Sequence, residues 1–343
     1  LRMTLTTINI MKPKTKSIIQ FVVVFALGIL LVWVAYGQVA DQKEKIIAAF
    51  TNADYFWVFI SAMIGFLSHI VRAYRWKYLL EPLGYKTSFI NASAAVFIGY
   101  FGNYAFRLGE IMRPSIMDRY EKVPFQIGFG TVITERIVDF ILLLAIFGLT
   151  LLFQFSELIG LSNKYIFDPM GEKFSSMSAT KGIIISVAVI GFISVFLAFR
   201  KTIAGKLKGK FGSIIKGFLD GISSVRKIKN MWTFVGLSVL IWALYFYCSY
   251  ACFFALPETS TLGHKECLTI MLLGTMGIVF TPGGLGAYHL IIANVLIFYG
   301  LDKAEAATFP WLVWTSQLIV ITFMGLLSLA LLPIINKKRN AVS

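Results

Sequence analysis

Along the chain, long apolar stretches alternate with short charged ones. Eight runs of 17 or more residues lack Asp, Glu, Lys and Arg: 17–40, 55–71, 87–106, 140–156, 182–199, 230–257, 267–301 and 306–336. A helix crosses the hydrocarbon core with roughly 20 apolar residues, within about 17–25. Six runs are rich in Leu, Ile, Val and Phe and predict plain spanning helices. Two do not. Run 87–106 carries small and polar residues in Gly99-Tyr-Phe-Gly-Asn103-Tyr, and run 267–301 is interrupted by Thr281-Pro-Gly-Gly-Leu-Gly286. Proline removes a backbone donor and glycine loosens the backbone, so a helix breaks there.

Charge between the runs decides what the two odd ones do, because cytoplasmic loops collect Lys and Arg. The segment before the first run carries +4, residues 37–54 carry −1, 72–88 carry +3, 157–181 carry zero, 200–230 carry +8, 301–305 carry −1, and the C-terminal segment carries +3. If run 87–106 crossed once, the +8 segment would face outside. If it enters and leaves on one side, every positive segment is cytoplasmic. The same parity holds for run 267–301. The predicted fold is therefore an all-α integral membrane protein with about six full transmembrane helices and two re-entrant broken-helix elements, N-in and C-in. Trp33, Trp57, Trp76, Trp232 and Trp311 fall near predicted span ends, as interfacial tryptophans do. Run 17–40 is read as a span and not a cleaved leader.

Composition agrees with this pattern. The chain is 57% hydrophobic and 14% charged, against about 25% charged in soluble domains, which excludes a soluble enzyme. The net charge of +15 would suggest nucleic acid in a soluble protein. Here the four basic segments already total +18, so the excess is a topology signal and no nucleic-acid partner is expected.

The order span, span, broken element, span occurs twice. The second spans begin near 55 and 231 and the last spans near 130 and 306, and a Leu-Gly pair recurs at 108 and 285. The chain reads as one polytopic domain, 1–343, with repeats at 17–156 and 181–336. Each half has an odd number of crossings, so the halves run in opposite senses. In that plan the binding site lies at the repeat interface, near the Gly/Pro-interrupted segments.

Ionisable residues at membrane depth are costly and mark function by default. Asn103, Arg107, Glu110 and Arg113 form the first cluster, with the charges at i, i+3 and i+6 on one helix face. Glu110 can neutralise one arginine and leave the other for an anion, and guanidinium binds phosphate bidentately. The same charges would also serve merely to end a hairpin at the cytoplasmic surface. Thr131, Glu135, Arg136 and Asp139 form the second cluster. A helix starting at Pro124 would carry them into the bilayer, where they must face the bundle; otherwise they form an interfacial salt bridge. Pro282, Gly283, Gly284 and Gly286 form the third, whose amides and carbonyls can bind ions or phosphate, or simply make a tight turn. His289 follows as a titrating group or a packing residue. His69, Arg72 and Arg75 end the second span, and the two arginines read as cytoplasmic anchors beside Trp76. Cys248, Cys252 and Cys267 read as packing. No metal ligand set, nucleophile motif or nucleotide-binding loop is present, so neither catalytic residues nor cofactors are expected.

These motifs together resemble the flippase-like membrane domain of the lysylphosphatidylglycerol synthase family: Asn103…Arg107-Leu-Gly-Glu110…Arg113, Thr131-Val-Ile-Thr-Glu135-Arg136-Ile-Val-Asp139, and Pro282-Gly-Gly-Leu-Gly286. The resemblance covers about 17–335. It implies a stand-alone protein that moves a phospholipid or lipid-linked headgroup between leaflets, in the bacterial inner membrane. The aminoacyl-transferase domain of bifunctional members is not expected, nor is lipid aminoacylation. Many relatives place Glu where this chain has His289. A secondary transporter of a small solute or ion has the same architecture and stays open, as does a membrane anchor for an enzyme. The expected partner is the lipid itself, and a homo-oligomer is allowed.

Overall fold

The computed structural model describes residues 40–106, 108–168 and 230–342, with a few residues between 26 and 37 and Ile228. All regular structure among them is helical. The predicted span at 182–199, most of that at 17–40, and nearly all of the +8 segment lie outside the described residues.

A short helix, α1 (Lys43–Asn52), leads to α2 (Tyr55–Leu80), which starts where the Asp54 carboxylate accepts from Phe56 N. The buried positions of α2 are Ser61, Gly65, Ser68, His69, Arg72, Arg75, Trp76 and their apolar neighbours. They recur every three to four residues, so one stripe faces the bundle. Next come α3 (Phe89–Phe106), α4 (Gly109–Glu121) and α5 (Phe125–Ser162), then α6 (Met231–Phe253), α7 (His264–Phe280), α8 (Ala287–Phe298) and α9 (Lys303–Val342). Among the described residues, four segments are long and apolar enough to cross a membrane: Tyr55–Leu83, Phe125–Tyr165, Met231–Phe253 and Lys303–Lys337. They coincide with α2, α5, α6 and most of α9. The chain is an all-α, multi-pass membrane protein.

Both odd runs belong to broken helix pairs, with one correction. Run 87–106 is not itself a hairpin. It forms the continuous helix α3, and the second limb is the polar α4 beyond it. The limbs touch through glycine: a Cβ on Gly109 would run into the Gly99 carbonyl, so only glycine lets the backbones come so close. Leu108 N donates to Gly102 O at 3.3 Å across the turn. The second pair, α7 and α8, lies within its own run and breaks at Thr281–Gly286. Gly283, Gly284 and Gly286 there have φ of +59°, +82° and +79°, a region that side chains with a Cβ disfavour.

The elements α2 to α5 recur as α6 to α9. They start at 55, 89, 109 and 125 and again at 231, 264, 287 and 303, a spacing of 175 to 178 residues. Their neighbours recur too. α2 packs along α6; α3 packs on α9 as α7 packs on α5; α4 packs on α5 as α8 packs on α9. Exchanging the two sets therefore maps these contacts onto themselves.

Candidate functional site

The first apolar run of α5 is entered from Pro124, and the helix continues through Glu135, Arg136 and Asp139 without interruption. At about 1.5 Å per residue, Asp139 stands about 21 Å from the start of α5 and about 22 Å from Gln154, where the helix kinks. These charges therefore sit well within the helix, away from both its start and its kink, and each has a partner. Arg72 Nη1 lies 2.6 Å from Asp139 Oδ2, and Arg75 Nη1 lies 2.9 Å from Asp139 Oδ1. Arg113 Nη2 lies 2.8 Å from Glu135 Oε2, with Arg75 Nη2 3.8 Å from the other oxygen. Arg136 Nη2 lies 2.6 Å from Glu110 Oε1 and its Nη1 3.7 Å from Asp139 Oδ2. α2, α4 and α5 supply all seven groups. Among the described residues, four guanidiniums meet three carboxylates, a formal excess of one positive charge.

The network has two zones. Arg75, Glu135 and Arg113 are sealed, each 0–1% exposed. The Arg113 guanidinium lies 4.3 Å from the Trp76 ring centroid, and Trp76 Nε1 donates to Thr131 Oγ1 at 2.9 Å. This zone is held by packing and cation–π attraction. Arg72, Arg136 and Asp139 instead border a cavity of about 410 Å³. His69, Tyr100 and Tyr245 share that polar wall; the Tyr245 hydroxyl accepts from Arg72 Nη2 at 3.0 Å. The rest of the lining is largely apolar, with Phe140 and Leu143 beside the charges on α5, Ile278 and Val279 of α7, and Val313 and Ile321 of α9. Phe140, Ile278 and Val279 are 58%, 45% and 68% exposed, so the apolar lining on α5 and α7 is open rather than sealed in the bundle.

The Pro-Gly-Gly turn does not line the cavity but packs on Tyr104 and Trp314, which both do. Trp314 Nε1 donates to Gly283 O at 2.7 Å, and a Cβ on Gly283 would meet the Tyr104 ring. Pro282 and Gly284 are buried. His289 is buried, with its ring centroid 3.8 Å from that of Trp311. Neither of its nitrogens has a hydrogen-bond partner among the described residues. Asn103 works locally: its Oδ1 accepts from Gly109 N at 2.8 Å and its Nδ2 donates to Glu110 Oε1 at 3.4 Å.

Of the site residues expected from the sequence, Arg136 and Asp139 reach the cavity. Glu110 pairs with Arg136 at its edge, while Arg113 and Glu135 lie behind it. Arg107 lies outside the described residues. The reading of Arg72, Arg75 and Trp76 as interfacial anchors is overturned, because all three are buried at 0–2% exposure. They sit at the edge of an apolar run, where an anchor and an inward-facing pair look alike. The available signal was the spacing: Ser61, Gly65, Ser68, Arg72 and Arg75 share one face, and Glu135 and Asp139 needed cations. Removing both arginines from the 72–88 segment lowers its charge from +3 to +1, with no change of sign. Tyr245 and Gln317 were missed for lack of any local mark.

The chain matches the family described as "Lysylphosphatidylglycerol synthase TM region" over residues 17–334. It is 30% identical over 129 residues to UPF0104 membrane protein MJ1595 of Methanocaldococcus jannaschii, covering 36% of this chain and 37% of that one. It is 27% identical over 112 residues to Glycosyltransferase AglD of Haloferax volcanii, covering 32% and 18%. The chain therefore spans well under half the length of these two relatives. With UPF0104 membrane protein PH1989 of Pyrococcus horikoshii it is 23% identical over 316 residues, covering 85% and 90%. No solved structure gives a significant match. With the family's match running through every described span, the chain belongs to the lysylphosphatidylglycerol synthase transmembrane-region family.

Proposed function

We propose that the protein is a lipid translocase, moving a lipid with an anionic or phosphate-linked headgroup between leaflets of the inner (cytoplasmic) membrane. The observation that carries this reading is a cavity lined by both charged and apolar side chains. Its polar wall presents Arg72 and Arg136 in a network with one positive charge in excess. Its apolar lining includes Phe140, Ile278 and Val279, all exposed. A headgroup fits the first wall while its chains stay in the bilayer. The match to a protein named as a glycosyltransferase adds lipid-linked sugars to the cargoes, and the Tyr and Trp rings of the cavity suit a sugar ring. In this reading the chain does no covalent chemistry and needs no cofactor. A solute transporter would have no use for the apolar opening.

The test is leaflet exchange of labelled anionic phospholipid in reconstituted vesicles. A hydrogen bond to a charged group contributes roughly 1.5–3 kcal/mol. Arg136→Ala is therefore expected to slow exchange about ten- to a hundredfold while the protein still inserts. Normal exchange by that variant overturns the assignment, and uptake of a water-soluble tracer by the parent would favour the transporter.

A further inference from the structure

Two small polar knots lie far from the charged cluster. In the first, Asn91 of α3 and Asn336 of α9 exchange amide hydrogen bonds at 2.9 and 3.0 Å, and Asn91 Nδ2 also donates to Glu121 Oε1 at the end of α4 at 2.5 Å. In the second, Gln154 of α5 accepts at Oε1 from Thr269 Oγ1 of α7 at 3.0 Å and from the Tyr299 hydroxyl at the end of α8 at 3.2 Å. Its Nε2 donates to Lys265 O at 2.8 Å. Asn91, Asn336, Gln154 and Thr269 are buried at 0–6% exposure.

The knots are counterparts. Each joins the start of a broken element's first limb, the end of its second limb, and the far part of the last span of the other set. Asn91 and Thr269 are 178 residues apart, as are Glu121 and Tyr299. They also lie on opposite sides of the bilayer. α5 starts beside the first knot and reaches the second at Gln154, about 44 Å along its path at ~1.5 Å per residue. α9 starts beside the second and reaches the first at Asn336, about 50 Å along. Both paths exceed the roughly 30 Å hydrocarbon core. The charged cluster and cavity lie between them.

We propose that these knots are two latches, one at each membrane face, that open in turn while the charged cluster between them stays intact. Each ties a broken element to the opposite repeat at the end that must part for the cavity to reach that face. The chemistry fits such a division. Most bonds in the knots are between neutral groups, which exchange with water at small net cost, whereas parting a buried ion pair strands a charge. Gln154 also sits at the break in α5, with φ −140° and ψ 36°, so the helix can bend where its latch is fastened. The proposal rests on the translocase reading for its purpose, and its test separates the two.

In a background with Cys248, Cys252 and Cys267 replaced by alanine, Asn91→Cys with Asn336→Cys, and separately Gln154→Cys with Thr269→Cys, would be joined by a short bifunctional thiol reagent. Exchange of labelled phosphatidylglycerol in phosphatidylcholine vesicles is expected to fall tenfold or more in each joined protein, with phosphatidylglycerol binding retained. Amide hydrogen exchange around the free knot is expected to rise when the other is joined. Joined proteins that still move lipid at the parent rate, or knots whose hydrogen exchange ignores one another, overturn the latches. If the parent moves no lipid, the translocase reading fails, and reciprocal hydrogen exchange alone decides the latches.

Discussion

Arg72 and Asp139 show how a buried charge is held at one residue pair. The Asp139 carboxylate accepts from two guanidiniums, with 11% of its side chain exposed, and Arg72 is 2% exposed. Removing one partner of such a pair strands the other, at a cost of about 3–5 kcal/mol. Asp139→Ala is expected to destabilise the purified protein by that order, read as a fall in thermal midpoint. The double variant Arg72→Met with Asp139→Leu should recover part of the loss, because an apolar pair can replace a buried ion pair while Arg75 keeps only Ser238 and the more distant Glu135; lipid exchange should stay low. Full recovery of exchange would mean that the pair serves stability alone. The carboxylates were legible in the sequence because they interrupt apolar residues. Arg72 and Arg75 were not, because a helix end hides whether a cation turns inward or out to the headgroups.

At the level of the element, the close approach of α3 and α4 is a backbone contact, so side-chain rearrangement cannot relieve added bulk. Gly109→Ala places a methyl against the Gly99 carbonyl and is expected to cost about 1–3 kcal/mol, as overpacking does. Gly148→Ala in α5 meets nothing within 4 Å and should be neutral or stabilising by up to about 1 kcal/mol, since alanine is the better helix former. Melting curves of the two variants side by side check this; equal behaviour would contradict the tight limb contact. The second broken element was plain in the sequence because Pro282 and its glycines break an otherwise apolar run. The extent of the first was not, because its second limb carries Glu110, Arg113, Asp118, Arg119 and Glu121. Apolar run length cannot recognise a polar helix that buries one face, here Gly109, Arg113, Pro114 and Met117.

For the whole molecule, the paths of α5 and α9 place the 81–88 connection and the 254–263 connection at opposite faces. Lys86 and Glu258 are exposed on these connections, and the three native cysteines are buried. Single Lys86→Cys and Glu258→Cys variants in sealed cells are therefore expected to react with an impermeant maleimide from opposite sides. Charge places the Lys86 side inside. Labelling of both from one side would overturn the antiparallel arrangement. The membrane class and four spans were legible because spanning length and hydrophobicity are properties of composition. The repeat boundaries 17–156 and 181–336 take in segments outside the described residues. The cavity was not legible, since it arises from residues over two hundred positions apart. Among the described residues the charged network draws on α2, α4 and α5, while every cavity residue of α7 and α9 is uncharged. Substitutions on α7 and α9 can then reshape the cavity while each ion pair stays in place, so the shape of the cavity and its charge are free to diverge independently.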